Sequence, residues 1–174
     1  MSPKKYSMPP LVIENLDALS DFVGREISVS DWFEVTQERI LKFAETTEDR
    51  QWIHLDPVRA KRESPYGATI AHGFLTLSLL SHLSEQALQI KSCVGMIVNY
   101  GLNRVRFPSP VLAGSLIRAR FSLQSLKDAG NAREATFSVV VEVQNQSKPC
   151  CVAEWITRYY AGEFGLQPQS RVSI

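Results

Sequence analysis

The sequence has few cysteines, no long apolar run and no excess of one charge. Its 174 residues include three cysteines, and 19 basic residues nearly balance 18 acidic ones, which leaves a formal charge of +1. A small, odd set of cysteines argues against a disulfide framework and indicates a reducing compartment. The near-neutral charge argues against the broad basic surface that nucleic acids need, so we expect no nucleic-acid partner.

Targeting, membrane and metal-binding motifs are also missing. Lys4 and Lys5 are not followed by the apolar run of a signal peptide. The longest apolar stretch, residues 74–83, is too short and too rich in serine and threonine to cross a bilayer. Neither His-x-x-x-His nor Cys-x-x-Cys occurs, so we predict no metal site. We expect a cytoplasmic protein without a membrane partner.

The hydrophobic pattern is that of one folded domain. Residues 1–14, which include three prolines, are predicted as a flexible tail, residues 15–162 as the domain and residues 163–174 as a C-terminal tail. The pattern predicts a short helix at 15–23, a strand at 27–35 and a helix at 37–45. From residue 72 to 89 apolar residues surround the helical wheel, which predicts a buried helix about 27 Å long.

After this helix the pattern becomes that of β-strands. Strands are predicted at 93–99, 104–107, 117–124, 135–143 and 151–160. Turns rich in glycine, asparagine, aspartate and proline join them as hairpins. The expected fold class is therefore α+β, with one face of an antiparallel sheet wrapped around the long central helix.

Two polar residues before the central helix suggest a chemistry. Asp49 and His54 lie five residues apart in an irregular segment, and Gly73 opens the apolar helix. Adding water to a double bond conjugated to a thioester needs a base, an acid and a donor to the thioester oxygen. An imidazole with a pKa of about 6.5 and a carboxylate can share the proton transfers around one water molecule. A backbone N–H at a helix start can stabilise the oxyanion.

These motifs resemble the MaoC-type (R)-specific enoyl-CoA hydratases. The resemblance rests on Asp-x-x-x-x-His at 49–54, followed by Ala-His-Gly at 71–73 and the long apolar helix. The closer match is to the NodN-like branch, over residues 49–54, 64–67, 70–80 and 100–111. Most of the family has Asn and Pro where this chain has Gln51 and Trp52, and the Gln-Trp pair is typical of the NodN-like branch.

The resemblance implies a hot-dog fold and reversible syn hydration of a trans-2-enoyl-CoA to an (R)-3-hydroxyacyl-CoA, without a cofactor. Asp49 and His54 match the catalytic dyad, and Gly73 matches the residue whose amide binds the thioester oxygen. Ser81 matches a serine whose hydroxyl steadies the dyad. We also expect a homodimer, because a second copy would cover the exposed sheet edge that this fold leaves. The acyl-CoA chain would lie in a tunnel beside the central helix.

Three other functions stay open at this point. A thioesterase of the same fold would direct water at the thioester carbonyl and release free thiol. A dehydratase acting on acyl carrier protein would use the same residues. A non-catalytic protein would bind crotonyl-CoA without consuming it. His72 and His82 are interpreted as structural. Five basic residues either contact the phosphates of coenzyme A or are simply solvated charges: Arg59, Lys61, Arg62, Arg104 and Arg106.

Overall fold

A computed structural model describes residues 9–91 and 94–162. The described part begins with a short strand and a 3-10 helix (Asp17–Phe22), and it continues with two strands, five helices and five strands. The strands are β1 (Leu11–Ile13), β2 (Arg25–Val29), β3 (Phe33–Val35), β4 (Leu88–Ile90), β5 (Met96–Arg106), β6 (Ser115–Asp128), β7 (Ala132–Val143) and β8 (Cys151–Tyr160). The helices are α1 (Gln37–Thr47), α2 (Trp52–Leu55), α3 (Pro57–Glu63), α4 (Gly73–Ser78) and α5 (Leu80–Ala87).

Six of the strands form one antiparallel sheet, as the sequence predicts. Its order is β2-β6-β7-β8-β5, and β3 pairs with β6 alongside β2. The long strands β6, β7 and β8 occupy the middle, and every second residue of β7 and β8 is buried. This alternation gives the sheet one apolar face, which packs against the helices in a single core.

The central helix is less regular and less buried than predicted. Instead of one helix over 72–89, α4 and α5 are separated at Leu79, and α5 ends at Ala87. Leu75, Leu80 and Leu83 are buried in the core, whereas Phe74 is 68% exposed. The sequence pattern missed this difference because apolar residues surround the helix on all sides, and periodicity then gives no inward direction. Among the described residues, no helix has the length and apolarity to span a membrane.

The prediction of a flexible tail is wrong for residues 11–13. Strand β1 pairs in parallel with β4, and Ile13 is buried. The same pairing explains why the central helix ends early, because residues 88–90 form β4 and cannot also continue the helix. The remaining predicted tail segments, residues 1–8 and 163–174, lie outside the described residues.

Two predicted strand boundaries also differ from the structure. The strand predicted at 27–35 is divided, because buried Ser30 exchanges backbone and side-chain hydrogen bonds with Ala119 and the chain bends before β3. The strands predicted at 93–99 and 104–107 are joined in β5, which stays paired with β8 through two irregularities in register. Residue 93 lies outside the described part of the chain.

Candidate active site

Helix α1 ends directly before the candidate site. The Thr36 hydroxyl accepts a hydrogen bond from the Arg39 N–H and caps the start of the helix. Glu48 ends it in the left-handed region, with a φ of 59°. Such a residue at a helix end turns the chain sharply, and Asp49 follows directly after the turn, with its side chain 57% exposed.

His54 lies on α2, and its imidazole is buried with a fixed orientation. Its Nδ1 lies 2.7 Å from the carbonyl oxygen of Ile70. A carbonyl can only accept, so Nδ1 carries a proton and donates it. The backbone of α2 is tied to the same segment, because the Ile70 N–H donates to the Ile53 carbonyl at 3.1 Å. In the neutral imidazole the lone pair is therefore on Nε2.

The segment that accepts the hydrogen bond from His54 is itself hydrogen-bonded to a distant part of the chain, residues 111–113. The Ala71 N–H donates to Val111 at 2.7 Å, and the Ala113 N–H donates to Thr69 at 3.0 Å. These bonds form a short antiparallel bridge centred on Ile70. His54 is thus positioned by backbone atoms that are fixed by long-range pairing, although the loop around it has irregular structure.

The sequence reasoning missed Gln37 as part of this arrangement. Its side-chain Nε2 donates to the His54 carbonyl at 2.8 Å, and its Oε1 accepts from the hydroxyl of buried Thr69. A glutamine in the first turn of a helix carries no distinctive pattern. Only the fold brings it, across 17 residues, to α2.

Trp52, which stands where most of the family has proline, also stabilises α2. The guanidinium carbon of Arg59 lies 4.3 Å from the centroid of the Trp52 ring, within the range of a cation–π contact. Arg59 also pairs with Glu63 through a 2.7 Å contact. The cation–π contact joins α2 to α3, and the two contacts together give Arg59 partners within the protein.

Asp49, His54 and His72 form one cluster. One carboxylate oxygen and one nitrogen of each imidazole all lie within 4.8 Å of one another. The ring of His72 stacks on His54 with centroids 3.7 Å apart and an interplanar angle of 26°. The structure therefore brings the predicted pair together and adds a second imidazole.

The cluster is close enough to suggest a metal, but its geometry does not favour one. His54 Nδ1 and His72 Nε2 already lie at hydrogen-bond distance from the carbonyl oxygens of Ile70 and Asp49. The two rings are stacked nearly parallel, so their in-plane lone pairs do not converge on one ion. The prediction of no metal stays a prediction.

The electrostatic surroundings of His54 favour its neutral form. Burial lowers the pKa of His54 below its ordinary value, because a charged imidazolium loses hydration there. The hydrogen bond to Ile70 and the charge of Asp49 act in the opposite direction, while His72 lowers the pKa further. The net shift leaves a neutral imidazole available as a base at neutral pH.

Gly73 is the first residue of α4 and follows His72 directly. Its N–H is one of the donors at a helix start that have no acceptor within the helix. A side chain at this position would also collide with the protein, because a Cβ atom would come within 2.8 Å of the Phe107 ring. Glycine is thus needed for packing, which is a reason that the sequence alone did not reveal.

The structure does not bring Ser81 to the cluster within one chain. Its hydroxyl accepts from the Asn99 side chain at 3.1 Å, and it lines a separate depression together with Leu102 and Trp155. Ser81 is also eight residues after Gly73, about 12 Å along the helix. Its role in steadying the dyad stays a prediction. His82 is exposed and contacts Phe33 and Gln86, away from the cluster.

The two described cysteines are poor nucleophiles. Cys150 and Cys151 are free, and both side chains are buried: Cys150 directly precedes β8, and Cys151 is the first residue of that strand. Burial raises the pKa of Cys150 to about 12 and that of Cys151 to about 11. Both thiols therefore stay protonated at neutral pH.

An apolar cavity of about 380 Å³ lies beside the central helix, between the end of α5 and the sheet. Met96 and Ile97 of the edge strand β5 form part of its border, and Ser84 of α5 lies on its wall. Its other walls include Leu88, Ile90, Phe121, Phe137, Trp155 and Tyr159. An apolar cavity of this size suits a hydrophobic ligand.

An antiparallel sheet around a central helix, with an imidazole and a carboxylate at the helix start, defines a hot-dog domain equipped for acid–base chemistry. Residues 19–145 match the MaoC like domain family. The chain therefore belongs to the MaoC-like dehydratases, and the resemblance seen in the sequence is confirmed.

The relatives extend this assignment. The chain is 49% identical to 3-hydroxyacyl-thioester dehydratase Z of Mycobacterium tuberculosis (strain ATCC 25618 / H37Rv), over 85% of this chain and 97% of that protein. It is 46% identical to Nodulation protein N of Rhizobium leguminosarum bv. viciae, over 78% and 84%. The solved (R)-hydratase from A. caviae, involved in PHA biosynthesis, superposes with a TM-score of 0.60 at 25% identity, over 72% and 89%. These homologues support a hydro-lyase at the general level.

The electrostatics of His54 can be tested by titration. We expect an NMR titration of its imidazole to show a midpoint below the ordinary value of about 6.5, because burial lowers the pKa. Asp49→Asn should lower the midpoint further, since the Asp49 charge favours the imidazolium. Asp56→Asn is the matched control: it keeps the oxygen that caps α3 and should leave His54 unchanged. A wild-type midpoint at or above the ordinary value would contradict this description.

Proposed function

We propose that this protein catalyses the reversible syn hydration of a trans-2-enoyl-CoA to an (R)-3-hydroxyacyl-CoA. The observation that carries the proposal is the buried His54, whose Nδ1–H is engaged by Ile70 and whose Nε2 lone pair is left for a proton transfer. Asp49 supplies a carboxylate oxygen within 4.8 Å of a nitrogen of each imidazole in the cluster. The relatives named dehydratases and hydratases support the same class of reaction.

The two side chains divide the proton transfers around one water molecule. A neutral imidazole accepts a proton through Nε2, and the lowered pKa of His54 keeps that nitrogen unprotonated near neutral pH. The Asp49 carboxylate lies on the solvent side of the cluster, where water enters. Water is the only reactant besides the thioester, because its hydroxyl and its proton are both added across the double bond, so the reaction requires no cofactor.

The Gly73 N–H is the proposed donor to the thioester oxygen. It lies at the start of α4, directly after His72 of the cluster. A donor in this position stabilises negative charge as it develops on the oxygen, and losing such a donor costs about 3–4 kcal/mol of barrier.

The cavity beside the central helix is the proposed place for the acyl chain. Its aromatic and aliphatic walls match a hydrocarbon chain. Ser84 on the cavity wall is eleven residues after Gly73, about 16 Å along the helix. The polar cluster and the apolar cavity therefore occupy opposite ends of the central helix, and only a long acyl chain would reach from one to the other.

A thioesterase is the nearest rival. Hydrolysis directs water at the carbonyl carbon and needs one activated water, whereas hydration also needs a proton donor for the α-carbon. The pair supplies both, because the imidazolium formed when His54 takes a proton from water can pass that proton to the α-carbon while the Asp49 carboxylate stabilises its charge, so the geometry favours hydration. A dehydratase acting on acyl carrier protein would use the same pair, because both carriers present the same thioester.

Substitution of either member of the pair tests the proposed reaction. Asp49→Asn and His54→Ala should each lower the rate of crotonyl-CoA hydration by roughly 10²–10⁴-fold, the usual contribution of an acid–base group. His82→Ala is the matched control, because it removes an exposed imidazole on α5, outside the cluster. The rate is followed as loss of absorbance of the conjugated thioester. Near-normal turnover in either dyad variant would rule out the assigned roles.

We also propose a homodimer formed through strand β5. This strand is one edge of the sheet, and no other described strand pairs with its outer side. It exposes the apolar side chains of Met96, Ile97, Val98, Tyr100 and Leu102. A long apolar edge of this kind invites pairing with another chain. Pairing with a second copy would also cover Met96 and Ile97 at the border of the cavity.

Charged substitutions on this edge test the dimer. The wild-type protein should have a molar mass in light scattering of twice the 19.5 kDa chain. Val98→Lys combined with Leu102→Lys should give the mass of one chain, because lysine on an edge strand opposes pairing. Leu41→Lys combined with Val58→Lys, at two exposed positions on helices, should leave the mass unchanged. A monomeric wild type, or an edge variant that stays dimeric, would overturn the proposal.

A further inference from the structure

His72 contacts both members of the dyad and is itself almost completely buried, at 2% exposure. Its Nε2 lies 3.0 Å from the carbonyl oxygen of Asp49, so Nε2 carries a proton and donates it. Its ring stacks on His54 with centroids 3.7 Å apart. One side chain thus joins the backbone of the carboxylate residue to the ring of the imidazole residue.

The position of His72 is fixed from several sides. Its carbonyl accepts from the Thr76 N–H at 3.3 Å, which makes His72 the N-cap of α4. The Phe43 ring of α1 lies 5.1 Å from its ring. Its Nδ1 is buried, with no hydrogen-bond partner among the described residues. An imidazole is therefore retained there although one of its polar atoms is unsatisfied, which costs stability.

A purely structural side chain would fill this space more favourably. An apolar ring of similar size would keep the contacts with His54 and Phe43 and would remove the unpaired nitrogen. The feature that such a ring lacks is the N–H directed at the Asp49 carbonyl. The cost of the buried polar group thus points to the bond with Asp49 as the reason for a histidine.

We infer that His72 is a positioning residue that sets the separation of Asp49 and His54, through its hydrogen bond to one and its stacking on the other. Asp49 follows the left-handed turn at Glu48, and its side chain is largely exposed. His54 is instead fixed by Ile70. His72 connects the exposed residue to the fixed one, and it also places Gly73, its neighbour in sequence. This inference rests on the proposed hydration.

Three substitutions separate the two contacts. His72→Gln keeps an N–H donor near the position of Nε2 and loses the ring. His72→Phe keeps the ring and loses the donor, and His72→Leu loses both. We expect His72→Leu to lower kcat for crotonyl-CoA by roughly tenfold to a hundredfold, since small displacements of reacting groups have effects of this size. KM should change much less, and the Gln and Phe variants should be intermediate. His82→Leu is the matched control and should retain kcat.

A second measurement needs no turnover. Asp49 and His72 are the side chains whose charges act on the His54 titration. The shift of the His54 midpoint caused by Asp49→Asn therefore reports how close the two groups are. We expect this shift to be smaller in the His72→Leu background than in the wild type, and intermediate in the Gln and Phe backgrounds. If the wild type does not hydrate crotonyl-CoA, the proposed function fails while this titration still decides the role of His72.

The role of His72 is overturned if His72→Leu retains kcat, or if the Asp49→Asn shift is the same with and without His72. Thermal unfolding shows whether the Leu variant is folded. If it is not, the Gln and Phe variants decide the question, and wild-type kcat and an unchanged shift in both would overturn the inference.

Discussion

The hydrogen bond from His54 Nδ1 to the Ile70 carbonyl, at 2.7 Å, is the contact on which the site depends. It fixes the proton on Nδ1, so the free lone pair is on Nε2, and it holds the ring in one orientation. The acceptor is a backbone atom of a segment bound to Val111 and Ala113. The orientation of the imidazole is thereby determined by long-range backbone pairing as well as by the short helix α2 that carries it.

The same contact is one of several opposing effects on the pKa of His54. Burial opposes the imidazolium, while the Ile70 carbonyl and Asp49 favour it. The net effect lowers the pKa, so His54 is neutral near neutral pH, as the proposed transfer of a proton from water requires. The nearby Asp49 carboxylate would then stabilise the imidazolium formed in that proposed step.

Much of the fold was predictable because its signals are local. The alternation along β6, β7 and β8 gave the strands and the buried face, and the apolar segment gave the central helix. The predictions that failed concern elements that depend on distant partners. Strand β1 forms because β4 lies beside it, and β5 is continuous because β8 pairs along its length. The prediction that the central helix is buried on all sides failed for a different reason, since its apolar residues have no preferred face.

The site was predictable in its residues but not in its connections. Asp49 and His54 were evident as a motif, and Gly73 as the start of a helix. The sequence could not show that Gln37 holds the His54 carbonyl, that Phe107 packs against Gly73, or that His72 contacts both members of the pair. These contacts join separate elements and leave no spacing signal. Ser81 is the opposite example: it matches the family pattern, but within one chain its hydroxyl contacts Asn99 and not the cluster.

The central claim is hydration of an enoyl thioester, and the most direct measurement is the fate of crotonyl-CoA. Absorbance of the conjugated thioester, free thiol and the configuration of the product are followed in the same reaction, the last with an (R)-selective 3-hydroxyacyl dehydrogenase. We expect loss of conjugation without thiol release, and a product that the dehydrogenase oxidises. Release of free coenzyme A in step with the loss of thioester, or a product of (S) configuration, would contradict it.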